Sequence, residues 1–306
     1  MRTKHRVPVV PPYRIDLTVG ALRRLSTNPV DIFTPGGHYV RALVGIRRPL
    51  FARILQVEPN ALSVTLDGDA ADHPTGLASV RRILGVDRDV TPFIHAAARI
   101  AWLRPLAKRM LGVKPPRYPT LWEACLNAVV FQQLSLLAAS AIMRRVIDIL
   151  SPRVENEGLV AYAFPDVQSF LGARDPDLLG AGLSAAKVAT LRRVAESIVS
   201  GELEERVLEG LPSLEAANLL SSIKGIGPWT ATVILLRGLG RLDVFPAKDS
   251  SVARNLALVA GETTFDIAKV LDVLGAQRGM LYYHLLLARL ESRGEIGRAS
   301  LEIIME

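Results

Sequence analysis

Apolar and polar positions alternate in the first part of the chain. Ile15, Leu17 and Val19 are separated by Asp16 and Thr18, and Leu62, Val64 and Leu66 by Ser63 and Thr65. A period of two sends alternate side chains to opposite faces, so residues 13–19 and 62–66 are expected to be strands. Two β-rich runs, 39–46 and 51–57, lie between them. Asn28-Pro29, Pro35-Gly36-Gly37, Arg48-Pro49 and Glu58-Pro59-Asn60 punctuate the runs as turns. The pattern predicts a small antiparallel sheet, with a short helix at 21–25. Beyond Gly76 the period lengthens. Leu77, Val80, Ile83 and Leu84 predict one helix and residues 91–110 a second. Residues 112–120 read as a proline-rich linker opening on Thr120-Leu-Trp-Glu123, a capping box in which hydroxyl and carboxylate each satisfy an orphan amide. Residues 122–150 are apolar nearly all round, which predicts a central, buried helix interrupted only by Gln132-Gln133. Helical patterns then alternate with Gly, Pro and Asp breaks to residue 292. The fold class expected is mainly α, with an α+β N-terminal part: a small antiparallel sheet domain followed by a larger all-helical body.

Composition removes several chemistries. Among 306 residues, 37 Lys and Arg stand against 30 Asp and Glu, a net charge of +7 (37 − 30). Of the basic residues 30 are Arg, in scattered doublets such as Arg23-Arg24 and Arg192-Arg193, so the excess fits a solvated surface as well as a polyanion partner. A lone cysteine, Cys125, excludes an internal disulfide, a cysteine-based zinc site and an iron–sulfur cluster. The histidines are too far apart in sequence for helical metal-ligand spacing. No window supplies the roughly 18 apolar residues of a membrane span. Pro8, Pro11 and Pro12 interrupt the basic N-terminus where the apolar region of a signal would fall. A soluble protein of a reducing compartment is expected.

The segment richest in chemistry is 219–237, LLSSIKGIGPWTATVILLR. A helix is expected to run to about Ser222. Lys224-Gly225-Ile226-Gly227 then forms a hairpin, and Pro228 starts a new helix, where its missing amide costs nothing. Two glycines let backbone approach closely, and amides at a helix start suit a phosphate oxygen. The same glycines also suit an ordinary tight turn between helices. Asp249 stands 22 residues past Gly227 and is equally placed to cap the helix that begins at Ser250.

Taken together, the hairpin and the spaced aspartate resemble the helix–hairpin–helix signature of the base-excision DNA glycosylases, the HhH-GPD superfamily, and most closely its 3-methyladenine DNA glycosylase II (AlkA-like) branch. Phe131-Gln132-Gln133-Leu134-Ser135, Gly182-Leu183-Ser184-Ala185-Ala186-Lys187 and Arg278-Gly279-Met280-Leu281-Tyr282-Tyr283-His284 extend the likeness over about residues 90–290. It implies a sheet domain at 1–88, one helical subdomain at 89–112 plus 240–306, and a second at 113–239 that ends in the hairpin. It implies Asp249 as the catalytic carboxylate, acting as charge stabiliser or as general base toward water. Gln133, with Leu134 beside it, would be the wedge that fills the gap left by a flipped base; a buried amide network is the alternative. Lys224, Gly225, Ile226, Gly227 and Thr230 would contact phosphate. The carbonyls of Ser221, Ile223 and Ile226 would hold Na+ or K+, with no other cofactor.

Two residues past Gly227, where lyase members of the superfamily carry a Schiff-base lysine, stands Trp229, so a monofunctional enzyme is implied. Trp229 suits a cationic alkylated purine, or packs the hairpin helix. Val233 and Leu286 depart from aromatic pocket positions of the AlkA-like branch, which leaves Tyr282, Tyr283, Trp122 and Phe33 as candidate substitutes, with Tyr283 and Trp122 taken for the base pocket. The implied activity is hydrolysis of the N-glycosidic bond of alkylated purines such as 3-methyladenine and 7-methylguanine. The implied partner is double-stranded DNA with a damaged base, bound by a cytoplasmic, nucleoid-associated monomer whose positive charge gathers around Lys224 and Lys187. An oxidised-base glycosylase/lyase and a non-catalytic DNA-binding module are the rival readings.

Overall fold

The computed structural model describes residues 1–247, 250–261 and 265–297. In chain order the elements are β1 (Arg2–Pro8), α1 (Ile15–Arg23), β2 (Ile32–Phe33), β3 (His38–Leu43), β4 (Leu50–Glu58), β5 (Ala61–Asp67), α2 (His73–Leu84), α3 (Thr91–Ala98), α4 (Arg104–Arg109), α5 (Leu121–Val130), α6 (Leu136–Leu150), β6 (Arg153–Asn156), β7 (Leu159–Tyr162), α7 (Val167–Gly172), α8 (Asp175–Gly180), α9 (Ala185–Ser200), α10 (Glu205–Gly210), α11 (Ser213–Ser221), α12 (Pro228–Arg237), α13 (Ser250–Ala260), α14 (Ile267–Leu274) and α15 (Gly279–Ser292). The first five strands form an antiparallel sheet in the order β1-β5-β4-β3-β2, with Val7 opposite Leu62 and Ile54 opposite Val64. No helix among the described residues is long and apolar enough to cross a membrane.

The alternation at 13–19 is not a strand but the first turns of α1. Ile15, Val19 and Leu22 pack into one core while Leu17 and Ala21 pack into another. Each set is helically spaced, and because the helix is covered on two sides the two sets interleave into an apparent period of two. Residues 91–110 form two helices, α3 and α4, rather than one. The continuous helix expected over 122–150 is also two, α5 and α6, broken at residues 131–135. Strand β1 and the β6–β7 hairpin were not legible as strands; β7 lies against β3, where the bridge Ala42–Ala163 joins it to the sheet.

The sheet shares its core with the helices that follow. Val64 and Leu66 of the sheet, Val80 of α2, Leu126 of α5, Leu191 of α9 and Ile234 of α12 belong to one apolar cluster. A second cluster gathers α3, α4 and α13–α15, where Phe93 lies 4.4 Å from His284. Burial pushes the His284 imidazole down to about 4, so it stays neutral there. The 112–120 segment is not an exposed linker: Gly112 to Pro116 are buried, and its backbone pairs with both sides, Tyr118 N to Arg237 O at 2.7 Å and Lys114 N to Thr18 Oγ1 at 3.1 Å. Arg237, 1% exposed, crosses the same junction to donate to the carbonyls of Ala21 and Leu22 at the end of α1.

The capping box at α5 is only half formed. Thr120 Oγ1 accepts from Glu123 N at 3.1 Å, but the Glu123 carboxylate turns away to Arg41 of β3, 2.6 Å from its guanidinium. Arg41 also donates to Asp31 at 2.6 Å, and all three are buried. Burial raises Glu123 to about 7 against the opposing pull of Arg41. A carboxylate that could have capped a helix is instead committed to tying it to the sheet.

Candidate functional site

The hairpin forms where glycine and proline spacing predicts it. Helix α11 ends at Ser221, and Gly227 caps α12, whose first residue is Pro228. Ile226 is buried and Ile223 half-buried, so the two isoleucines root the turn in the first core while Lys224 and Gly225 stay exposed. The glycines have different duties. Gly225 has φ +102, and a Cβ there would stand 1.9 Å from Thr190 Oγ1 on α9. Gly227 has φ −89, and a Cβ there would meet nothing within 4 Å. The outer side of Gly227 is therefore open, as close approach of a ligand to backbone requires. Gly225→Ala is expected to cost about 1–3 kcal/mol in thermal or denaturant unfolding, through left-handed strain and overpacking, whereas Gly227→Ala leaves stability nearly unchanged. Equal losses in the two variants would contradict this division.

Gln133 and Leu134 lie in the break between α5 and α6 rather than on a helix. Gln133 takes φ +56, a region that costs a side chain-bearing residue free energy, and it is exposed; Leu134 beside it is 40% exposed. The neighbouring amide is tied down. Gln132 Nε2 donates to Gly225 O at 3.0 Å and to Thr230 Oγ1 at 2.7 Å, which joins the break to the hairpin.

Several sequence candidates are placed elsewhere. Thr230 is 2% exposed and spends its hydroxyl on Gln132, so it is a strut inside the site and not a phosphate contact. Trp122 is 4% exposed, its Nε1 donates to Pro165 O at 2.9 Å, and its ring packs on Phe170, which leaves no face for a base. Tyr283 is fully buried, with its hydroxyl donating to Pro116 O and Leu236 O at 3.2 Å, at the junction of the two cores. Both rings are core residues because their polar ends find backbone carbonyls inside. Trp229 is half-buried and packs against the first core. Lys187 does not offer its charge to the cleft rim: its ammonium donates to Val130 O at 2.8 Å and Gln132 O at 3.0 Å. Of the three carbonyls considered for a cation, that of Ile223 already accepts from Ile226 N at 2.9 Å, with a second lone pair remaining. Asp249 lies outside the described residues. Asp243, the nearest other carboxylate in sequence, is exposed.

Arg24 was not singled out by sequence. It follows α1 at φ 64 and ψ −64, with Leu25 N bonded back to Arg23 O at 2.8 Å, a strained γ-turn. Its guanidinium lies 4.0 Å from the ring centre of Phe131, the residue that opens the Gln132-Gln133 break, and it lines a cavity of about 40 Å³, room for a water or two. Only the tertiary fold brings α1 against Phe131.

The chain is similar to known proteins over the segment that carries the hairpin. Residues 126–269, which span the break and the hairpin, match the family described as HhH-GPD superfamily base excision DNA repair protein. A Bacillus subtilis protein named DNA-3-methyladenine glycosylase is 27% identical over 174 residues, 57% of this chain and 57% of its own length. A Mycobacterium tuberculosis protein named probable bifunctional transcriptional activator/DNA repair enzyme AlkA is 29% identical over 263 residues, 83% of this chain and 51% of its own. The chain thus spans about half to three-fifths of the length of these relatives. The solved 3-methyladenine DNA-glycosylase from Archaeoglobus fulgidus superposes with a TM-score of 0.78 at 24% identity, covering 93% of this chain and 98% of that one, and so shares the fold. Residues 126–269 of the chain, with the hairpin they contain, belong to the HhH-GPD superfamily.

Proposed function

We propose that the chain is a monofunctional DNA glycosylase that hydrolyses the N-glycosidic bond of alkylated purines, of the 3-methyladenine and 7-methylguanine type, in double-stranded DNA. The observation that carries this reading is the pairing of an open hairpin turn at Gly227 with an exposed, left-handed Gln133, the two joined through Gln132. A phosphate binder beside a protruding side chain is what extrusion of a base demands: one holds the strand, the other fills the space the base vacates. The names carried by the Bacillus subtilis and Mycobacterium tuberculosis relatives support the same chemistry.

In this reading the lesion enters between subdomains 89–112 plus 240–306 and 113–239. Trp229 stacks on the cationic base, whose glycosidic bond is already weakened, and Asp249 stabilises the oxocarbenium-like sugar as the bond breaks, then or concurrently directing water. Trp229 occupies the position at which an amine would be needed for strand cleavage, so hydrolysis ends at an abasic site. The carbonyls of Ser221, Ile223 and Ile226 would hold a Na+ or K+ ion, which would supply positive charge for a phosphate. The enzyme acts as a monomer, in the cytoplasm on the nucleoid.

The test is a duplex oligonucleotide carrying 7-methylguanine. Release of the free base, with the strand left uncut and no borohydride-trapped adduct, is the expected result, and binding should weaken steeply as salt rises. A trapped adduct would make the enzyme a lyase. No release from any alkylated purine would overturn the reading.

A further inference from the structure

One face of α9 holds both elements of the proposed DNA interface. Lys187, on its first turn, donates from Nζ to Val130 O and Gln132 O. Three residues on, Thr190 lies against Gly225 and its hydroxyl reaches Lys224 O at 3.4 Å; three further, Arg193 Nη1 donates to Lys224 O at 2.9 Å. The spacing i, i+3, i+6 lines these side chains along one stripe. The contact at Gln132 O has a particular consequence. That oxygen belongs to the peptide that enters Gln133, so the ammonium fixes the peptide plane whose rotation sets Gln133 at φ +56. The side chain of Gln132 then carries the same constraint to Gly225 O and Thr230. Lysine is a costly residue for this place. A cation on the first turn opposes the helix dipole, and burial lowers the Lys187 ammonium below the ordinary lysine value.

Resting on the glycosylase reading, we propose that Lys187, through Gln132, is a positioning residue that locks the exposed Gln133 to the hairpin at a fixed separation, so that capture of a phosphate and insertion of the wedge occur as one event. Lys187 touches neither base nor phosphate; it acts through the loop. Misplacement of about 1 Å at such a point costs on the order of 100-fold in rate.

The experiment compares Lys187→Met, Lys187→Arg and Gln132→Met with the wild type, all checked for native unfolding temperature. Single-turnover release of 7-methylguanine is measured from a fully paired duplex and from the same strand unpaired. Lys187→Met is expected to slow release from the duplex about 10- to 100-fold and to leave release from the unpaired strand and affinity for undamaged duplex nearly unchanged. Lys187→Arg restores the duplex rate, and Gln132→Met, which cuts the loop–hairpin link with the lysine intact, reproduces the loss. Insertion is read independently of chemistry from 2-aminopurine fluorescence beside a non-hydrolysable abasic analogue. A wild type that inserts without releasing base, and a Lys187→Met variant that fails to insert, would sink the glycosylase reading and leave the lock standing. Equal slowing on paired and unpaired strands, or insertion by Lys187→Met at the wild-type level, would overturn the lock itself.

Discussion

Asp249→Asn is expected to reduce base release by about 100- to 10,000-fold while leaving affinity for lesion-bearing duplex intact. The choice of asparagine is what makes the result informative. Asp249 directly precedes α13, which begins at Ser250, so a capping role is chemically sensible. Asparagine caps a helix about as well as aspartate, at equal size, but carries no charge. A residue that only caps would therefore tolerate the change in both stability and activity. A residue that faces a developing positive sugar, or that takes a proton from water, would not. The measurement is single-turnover release of 7-methylguanine at saturating enzyme, beside a binding curve at the same salt concentration. Release at the wild-type rate would remove Asp249 from the mechanism.

Arg41→Met is expected to cost about 3–5 kcal/mol of folding stability without touching the hairpin. Arg41 sits between Asp31 and Glu123, each 2.6 Å away, with side chains 2–3% exposed, and Tyr39 donates to Asp31 at 2.8 Å. Removing the guanidinium leaves two carboxyl groups in the core with no countercharge, at the point where α5 meets the sheet. Burial already raises Glu123 to about 7 against the pull of Arg41, and without that pull it is raised further, so that it folds as the neutral acid. The loss should therefore be larger at pH 8 than at pH 5, since low pH supplies its missing proton. The double variant Arg41→Met/Glu123→Gln should lose no more than Arg41→Met alone, because the second change removes one of the stranded charges. Denaturant unfolding at the two pH values reads both effects; a small loss that does not vary with pH would show that the cluster contributes little.

The features that were readable in the chain are those whose causes lie within a few residues of each other. Gly227 followed by Pro228 suits a helix start, because the amide that proline lacks would be unpaired at that position anyway. Thr120, Ser135, Asp166 and Ser184 each accept an amide three residues on, and each opens a helix. The misreadings share a cause too. At α1 the hydrophobic pattern was set by two cores at once, and a helix sandwiched between them loses its single apolar stripe. At 131–135 the apolar pattern resumes beyond Gln132-Gln133 and hides a break, because Leu136 and Leu137 are apolar although Leu137 is exposed, whereas all of α5 is buried. Nothing local announces that Lys187 will reach 55 residues back to Gln132 O, or that Arg41 will claim the Glu123 carboxylate.

What the sequence determined unaided was the hairpin, a tryptophan and not a lysine two residues past Gly227, the absence of cysteines for a cluster, and the family resemblance these carry. All are matters of residue identity and short spacing. What only the tertiary structure decided was which side chains share the site. It withdrew Trp122 and Tyr283 into the core, turned Thr230 inward, put Gln133 on a strained loop, and brought Lys187 and Arg24 to brace that loop from two directions. The physical reason is that a buried polar atom must find its partner wherever the fold places one, and that distance in sequence does not enter the requirement.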